Sequence, residues 1–137
     1  YQFNPDWSGS VVAESVLPGL PSCLKIKVTD TYFSESNQGI DKYINGRICI
    51  TNDIYGGDLT DCHIKLLEQF AIKAQMVAPI TRNNQLFGLL IANQCSEPRA
   101  WQPHEVELFS HLAKQVGFAI EQVSFLEKQE ADAERAD

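Results

Sequence analysis

From Pro103 to its end the chain carries one uninterrupted helical pattern, and that feature limits the fold more than any other. Phe109, Leu112, Val116, Ala119, Val123 and Leu126 alternate three and four residues apart, a heptad spacing that gathers them on one stripe of a helix. Past Leu126 the pattern turns polar. Residues 127–137 hold five acids and two bases and read as a solvated helical extension or linker.

Upstream of that helix the chain reads as short strands and turns. Residues 1–3 end one strand, and Asn4, Pro5, Asp6 and Gly9 supply turn chemistry. Residues 10–16 form the returning strand of an antiparallel hairpin, with Val11 and Ala13 on one face and Val12 on the other. Residues 17–24, with Pro18, Gly19 and Pro21, are a connector. Residues 25–33 alternate in part, Ile26 and Val28 against Lys25 and Lys27. A polar loop over 34–46 and a short strand over 47–51 follow, then a loop over 52–58. Residues 60–72 are a helix with Thr60 as N-cap and Ile64, Leu66, Leu67 and Phe70 as its apolar face. Two strongly apolar strands, 73–80 and 86–92, flank the polar turn Arg82-Asn83-Asn84-Gln85. The order predicts an α+β domain on an antiparallel sheet. Long loops in such a domain often surround a ligand.

Bulk properties exclude several functions. A length of 137 residues fits one domain that buries roughly two-thirds of its unfolded surface. It needs no disulfide or metal to fold. The net charge is −7, which argues against a nucleic acid or an anionic membrane as partner. No apolar run reaches the roughly 20 residues of a membrane span. No leader pattern supports secretion, and a cytoplasmic location is expected. Cys23, Cys49, Cys62 and Cys95 form no C-x-x-C pair, so a zinc site is not expected and the thiols are read as reduced.

There is no phosphate-binding glycine motif, no G-x-S-x-G and no H-E-x-x-H. The most reactive-looking pair is Cys62-His63, near the start of the helix at Thr60. The positive end of a helix favours thiolate. The plain alternative is a half-buried cysteine beside a surface histidine. Adjacent helical side chains diverge by about 100°, so His63 is badly placed as a base for Cys62. The pair looks more like an attachment point beside a ligand-facing imidazole. Asp30, just ahead of Tyr32 and Phe33, is either an exposed loop acid or an acceptor for ligand N–H groups, because a carboxylate among aromatics needs a partner. Tyr32, Phe33, Tyr43 and Tyr55 could wall an aromatic pocket or serve ordinary core packing.

With these residues in view, the chain resembles the GAF photosensory domain of cyanobacteriochromes, the bilin-binding relatives of phytochromes. The matching stretches are YQFNPDWSGSVVAESV, DTYFSE, GRICITNDIY, LTDCHIKLLEQFAIKAQMVAPI, NQLFGLLIANQCSEPRAWQ and EVELFSHLAKQVGFAIEQ, spread over residues 1–122. The resemblance implies a GAF fold, a central antiparallel sheet flanked by helices with a long C-terminal helix. Residues 1–126 would be the photosensory domain and 127–137 the extension. It implies a linear tetrapyrrole, phycocyanobilin with biliverdin as the alternative, joined through a thioether to Cys62. Asp30 would accept hydrogen bonds from the pyrrole nitrogens and favour a protonated chromophore. His63 would lie against the bilin plane. Lys42 and Tyr43 match the family's Arg-Tyr pair, and Asn93 stands where many members have His near ring D. Tyr32, Phe33 and Tyr55 would complete the pocket. Light would isomerise the C15–C16 double bond and bias the terminal helix.

Four departures qualify the match. Tyr32 stands where one subgroup has a second thiol; Cys23 is the remaining candidate for a second linkage, while Cys49 and Cys95 look structural. Val28 replaces the Trp of the red/green subgroup. Lys42 replaces Arg, a point charge in place of a fork. The family's N-terminal helix and the first half of its first strand have no counterpart in this sequence. The resemblance further implies a sensor rather than an enzyme, with an output signalling domain in the parent protein and a homodimer through the C-terminal helix. Three other readings remain at this point: a GAF module for a noncovalent ligand such as a cyclic nucleotide, a thiol enzyme reducing methionine sulfoxide, and a purely dimerising module.

Overall fold

A computed structural model describes residues 1–24, 26–28, 43, 46–57 and 59–136. The elements run β1 (Gln2–Phe3), β2 (Gly9–Ser10), β3 (Lys27–Val28), β4 (Cys49–Thr51), α1 (Asp61–Glu68), β5 (Ala74–Arg82), β6 (Gln85–Gln94) and α2 (Pro103–Ala136). The strands form one six-stranded sheet in the order β3-β2-β1-β6-β5-β4, antiparallel at every pairing. This is the expected α+β architecture.

The β5–β6 hairpin is the centre of the sheet. Its ladder runs from Ala74↔Gln94 to Arg82↔Gln85, with a register irregularity between Ile80 and Thr81. The two-residue turn puts Asn83 and Asn84 at φ 53° and 64°, the left-handed pair that a type I′ hairpin needs and that asparagine tolerates well. Strand periodicity divides the apolar side chains between two faces. Met76 and Ala78 lie on one face under Phe109 and Ala113 of α2. Val77 and Leu89 lie on the other with Phe3 and Tyr43.

α2 begins where the segment after β6 is strapped across β4. Arg99 N donates to Asn52 O (2.9 Å), Trp101 N to Asn52 Oδ1 (3.2 Å) and Trp101 Nε1 to Thr51 O (3.2 Å). Glu105 accepts from the Gln102 backbone N–H (3.0 Å), which satisfies an otherwise orphaned donor at the helix start, and it pairs with Arg99. The Gln102 N–H, then the Arg99 guanidinium, hold the Glu105 carboxyl below its ordinary range. One end of α2 is thus fixed to β4. Further along, the helix is fixed to the β5–β6 turn, where Asn83 N donates to Glu121 Oε1 (2.8 Å).

Two local outcomes differ from the sequence reading. The strand expected over 10–16 is paired only at Gly9 and Ser10, with one further bond from Val11 N to Ile26 O (3.1 Å). Glu14 turns instead to Ser22 and to the Cys23 N–H, the latter at 2.9 Å. Residues 25 and 29–33 of the next expected strand lie outside the described residues, and Lys27–Val28 is the strand found. The helix expected over 60–72 ends at Glu68, because Ala71 adopts φ 58°. Ala71 N donates to Glu68 O (3.1 Å) and Ile72 N to Leu67 O (3.2 Å), a Schellman closure with its usual apolar contact between Leu67 and Ile72.

The row of α2 that faces the sheet is Phe109, Ala113 and Gly117, which shares only Phe109 with the heptad stripe. A Cβ on Gly117 would stand 2.6 Å from Thr81 O, so the helix seats itself by its smallest side chains. Val123 and Leu126 of the stripe stay 54% and 56% exposed, against 2% for Ala113. The polar extension continues helical to Ala136.

Two substitutions test this description. Ala71→Gly removes the left-handed strain of an L-residue, about 1–2 kcal/mol, against an unfolded-state penalty of about 0.4–1 kcal/mol; urea denaturation should show a small net gain. Gly117→Ala should lose stability in the same assay, because overpacking of about 1–3 kcal/mol outweighs a helix-propensity gain of about 1 kcal/mol. An unchanged or raised midpoint for Gly117→Ala would show that α2 does not approach β5 this closely.

Candidate functional site

Cys62 and His63 occupy the first turn of α1. Thr60 caps that turn by accepting from His63 N (3.2 Å). The inner side of α1 is Ile64 and Leu67, packed with Ile54, Leu59, Phe70, Ile72 and Cys95. Cys62 precedes Ile64 by two residues, about 200° around the helix, and its thiol is exposed and free. His63 lies one turn before Leu67 and is half-buried. The two side chains therefore diverge, as the sequence reading expected, and do not form a nucleophile-base couple.

The loop before α1 braces it. Tyr55 N donates to Asp53 Oδ1 (3.0 Å), and the Tyr55 hydroxyl donates to Glu68 Oε1 (3.1 Å). That bond, with lesser help from the charges of Glu68 and Asp53, raises the phenol above its ordinary range. Ile54 N donates to Lys73 O (3.0 Å) and Lys73 N to Gln94 O (2.8 Å), so α1 is tied to the β5–β6 ladder at the end that carries Asn93.

Asn93 lies on the sheet face opposite α2. The register places Thr51, Gln75 and Asn93 in one cross-strand row and Cys49, Val77 and Ile91 in the next. Gln75 is buried and donates to Asn93 Oδ1 (2.9 Å). Tyr43 is buried on this same face with Phe3, Val77 and Leu89. Asp30, Tyr32, Phe33 and Lys42 lie outside the described residues. The structure therefore groups Tyr55, Cys62 and His63 on the α1 unit, with Asn93 and Tyr43 on one sheet face.

The remaining thiols are also free. Cys95 donates to Phe70 O (3.9 Å) within the cluster under α1. Burial, then the charges of Glu14 and Cys95, raise the Cys23 thiol above its ordinary range, which works against thiolate there. The described residues line at least two open depressions. One, of about 410 Å³, lies at the hairpin tips, where Arg82 stands 4.8 Å from the centre of the Phe87 ring. The other, of about 570 Å³, lies between β4 and α2. Neither is lined by Cys62, His63 or Asn93. Among the described residues there is no cluster of three metal-ligating side chains and no helix long and apolar enough to cross a membrane.

Sequence reasoning missed Gln75, Glu68 and Asp53. Gln75 carried a signal, a carboxamide within an apolar strand opposite Asn93; the brace on Tyr55 carried none.

A sheet with a long helix on one face, and a short capped helix presenting a free thiol ahead of the central hairpin, defines a small α+β domain of the GAF type. The chain belongs to the GAF domain family, whose pattern matches residues 3–120. It is 46% identical, over 94% of its length, to a protein of Synechocystis sp. assigned to the methyl-accepting chemotaxis class, of which it spans 13%. The blue-light-absorbing form of the PixJ GAF domain of Thermosynechococcus elongatus is 39% identical and superposes with a TM-score of 0.90, over 100% of this chain and 80% of that one. The green-light-absorbing state of TePixJ, an active cyanobacteriochrome domain, gives 41%, 0.84, 96% and 79% for the same quantities. The far-red-absorbing dark state of JSC1_58120g3 with bound biliverdin gives 34%, 0.84, 90% and 78%.

The brace at Tyr55 makes a prediction about pH. A phenol that donates to a carboxylate is held protonated, so the bond is present at neutral pH and lost as pH rises through the raised value. Glu68→Ala should bring this titration down toward the ordinary tyrosine range. Tyrosinate absorbance in an alkaline titration reads it, with Tyr55→Phe identifying the band. An unmoved titration would mean that Glu68 does not hold the phenol.

Proposed function

We propose that residues 1–126 are a photosensory GAF domain carrying a covalent bilin and that residues 127–137 lead into a linker. The observation that carries the reading is the exposed free thiol of Cys62 on the first turn of α1, in a chain that superposes along its whole length on a light-absorbing GAF domain. The residues suit such a group. An accessible thiol, a half-buried imidazole next to it and a carboxamide pair on a largely apolar sheet face match a long conjugated ligand with polar edges.

Cys62 would add to the ethylidene group of ring A. One C–S bond forms, the carbon–carbon double bond is consumed, and the thiol's proton ends on the neighbouring carbon. No oxidant or reductant is needed. His63 would rest against the ring system, Asp30 would hold the pyrrole N–H groups and Lys42 a propionate. Tyr32, Phe33, Tyr43 and Tyr55 would wall the pocket, and Asn93 would face ring D. The bound tetrapyrrole, phycocyanobilin with biliverdin as the alternative, would supply the double bond that light isomerises between 15Z and 15E. The chain itself is a cytoplasmic sensor and not an enzyme. Its output domain, of chemotaxis, histidine kinase or cyclase type, belongs to the parent protein, and it works as a homodimer through α2.

The test is the absorption spectrum of protein co-produced with phycocyanobilin, before and after illumination and again in acidic urea. A reversible visible band that survives denaturation is expected, with conjugation intact because Tyr32 offers no second thiol. Cys62→Ala should lose all covalent pigment. Colour surviving denaturation in that variant would overturn Cys62 as the anchor, and a wild-type chain that takes up no bilin would overturn the reading.

A further inference from the structure

Among the described residues, Gln75 is the one polar residue in the buried set. It stands in β5 between Ala74 and Met76, with β4 paired on one side and β6 on the other. Packing gives no reason for a carboxamide there. Burying an amide costs free energy unless it is hydrogen-bonded, and an apolar residue of like volume would fill the same space.

Its partner is the outer member of the pair. Gln75 Nε2 donates to Asn93 Oδ1 (2.9 Å), while Asn93 itself is exposed. The terminal torsion of an asparagine is broad and roughly two-fold, so an exposed carboxamide turns over readily on its own. Gln75, hemmed in by two neighbouring strands, does not. The buried residue therefore sets the orientation of the exposed one. With Oδ1 held by Gln75, the NH2 group lies on the opposite prong of the Asn93 carboxamide and is directed to the open side of the sheet face.

That orientation decides what the face offers a ligand. An unrestrained carboxamide gives or accepts hydrogen bonds equally well. Held this way, Asn93 presents N–H donors, and it suits a carbonyl oxygen better than another N–H group. A lactam ring carries both, side by side, so the direction of one buried bond selects which of the two is met. The next row, Cys49, Val77 and Ile91, has no comparable donor. The selection is confined to the row of Thr51, Gln75 and Asn93, at the end of the ladder where Lys73 N binds Gln94 O and α1 is tied.

We infer that Gln75 is a positioning residue: from inside the sheet it fixes the Asn93 carboxamide with its NH2 group outward, so that the site takes the terminal lactam ring of its ligand by the carbonyl oxygen. The ligand half of this inference rests on the bilin reading above; the orientation of Asn93 does not.

Two experiments separate these halves. In the pigment-free chain, side-chain amide NMR reads the bond itself, with Gln75→Met identifying the Gln75 Nε2 protons by their loss. Asn93→Ala should move those protons upfield and speed their exchange with water by about fivefold, the loss of one neutral hydrogen bond. The Asn93 Nδ2 protons should exchange as exposed amides do. Protected Asn93 protons beside unprotected Gln75 protons would overturn the proposal, as would Gln75 protons indifferent to Asn93→Ala. In the pigmented chain, compared at equal bound bilin, Gln75→Met and Asn93→Leu should each move the visible band. Gln75→Met added to Asn93→Leu should move it no further, because a residue that acts through another has no effect once that other is gone. Circular dichroism confirms that each variant folds, and Gln75→Leu serves as a second apolar replacement. A band that Gln75→Met leaves in place, or shifts equally in both backgrounds, would overturn the positioning role. A wild-type chain that takes up no bilin would overturn the photosensory reading and the ligand half with it, and the pigment-free experiment then decides the orientation of Asn93 alone.

Discussion

The antiparallel ladder between β5 and β6 supports everything else that the described residues contain. It pairs without a break from Ala74↔Gln94 to Ile80↔Gly88 and resumes at Thr81↔Leu86. Both of its outer edges are used as well, by β4 on one side and β1 on the other. A central hairpin of this length has no free face, since side chains alternate above and below it. Met76 and Ala78 commit one face to α2. Val77 and Leu89 commit the other to Phe3 and Tyr43. The position of every candidate site residue is set relative to these two faces.

The two ends of the ladder are held by different partners. At the Gln94 end, Lys73 N reaches Gln94 O and Ile54 N reaches Lys73 O, which fixes the loop and the short helix bearing Cys62. At the turn end, Asn83 N reaches Glu121 on α2, and Gly117 lies against the Thr81 carbonyl. The thiol's helix thus attaches at one end of the hairpin, while the long helix, strapped to β4 at its start, is held at the turn end as well. The close approach at Gly117 sits beside the register irregularity between Ile80 and Thr81, where an interrupted ladder twists more than a regular one. One contact between helix and sheet, at Gly117, is thus made at the least regular point of β5.

What the sequence disclosed follows from how local each signal is. The hairpin around Asn83 and Asn84, the cap at Thr60 and the long helix from Pro103 all rest on residues within one or two turns of each other, and all three were legible. The end of α1 was not. Its left-handed residue is Ala71, where a glycine would have announced it. The sheet-facing row of α2 was not legible either. The large apolar residues of the heptad stripe are the visible signal, whereas close packing on a strand selects small ones, Ala113 and Gly117. In the candidate site, Cys62 and His63 were legible because they are adjacent on a capped helix. The Gln75–Asn93 bond joins residues 18 apart in sequence, and only the strand register reveals it. The brace from Tyr55 to Glu68 depends on where a loop folds back, which no spacing rule supplies.

The distribution of small and large residues around α2 carries the argument further. A helix that needed only to cover the sheet would place its bulky apolar residues inward and polar ones outward. Here the inward row past Phe109 shrinks to Ala113 and Gly117, while Leu112, Val123, Phe118 and Phe125 face outward. Small inward residues bring the helix axis close to β5, and this also brings the next ring of side chains level with the edge strand. The groove beside Ile50 and Trp101 is bounded by that ring. The exposed aromatic surface of α2 therefore stands alongside a groove made by the same close approach, so a single substitution at Gly117 should alter the sheet contact and the outer groove together.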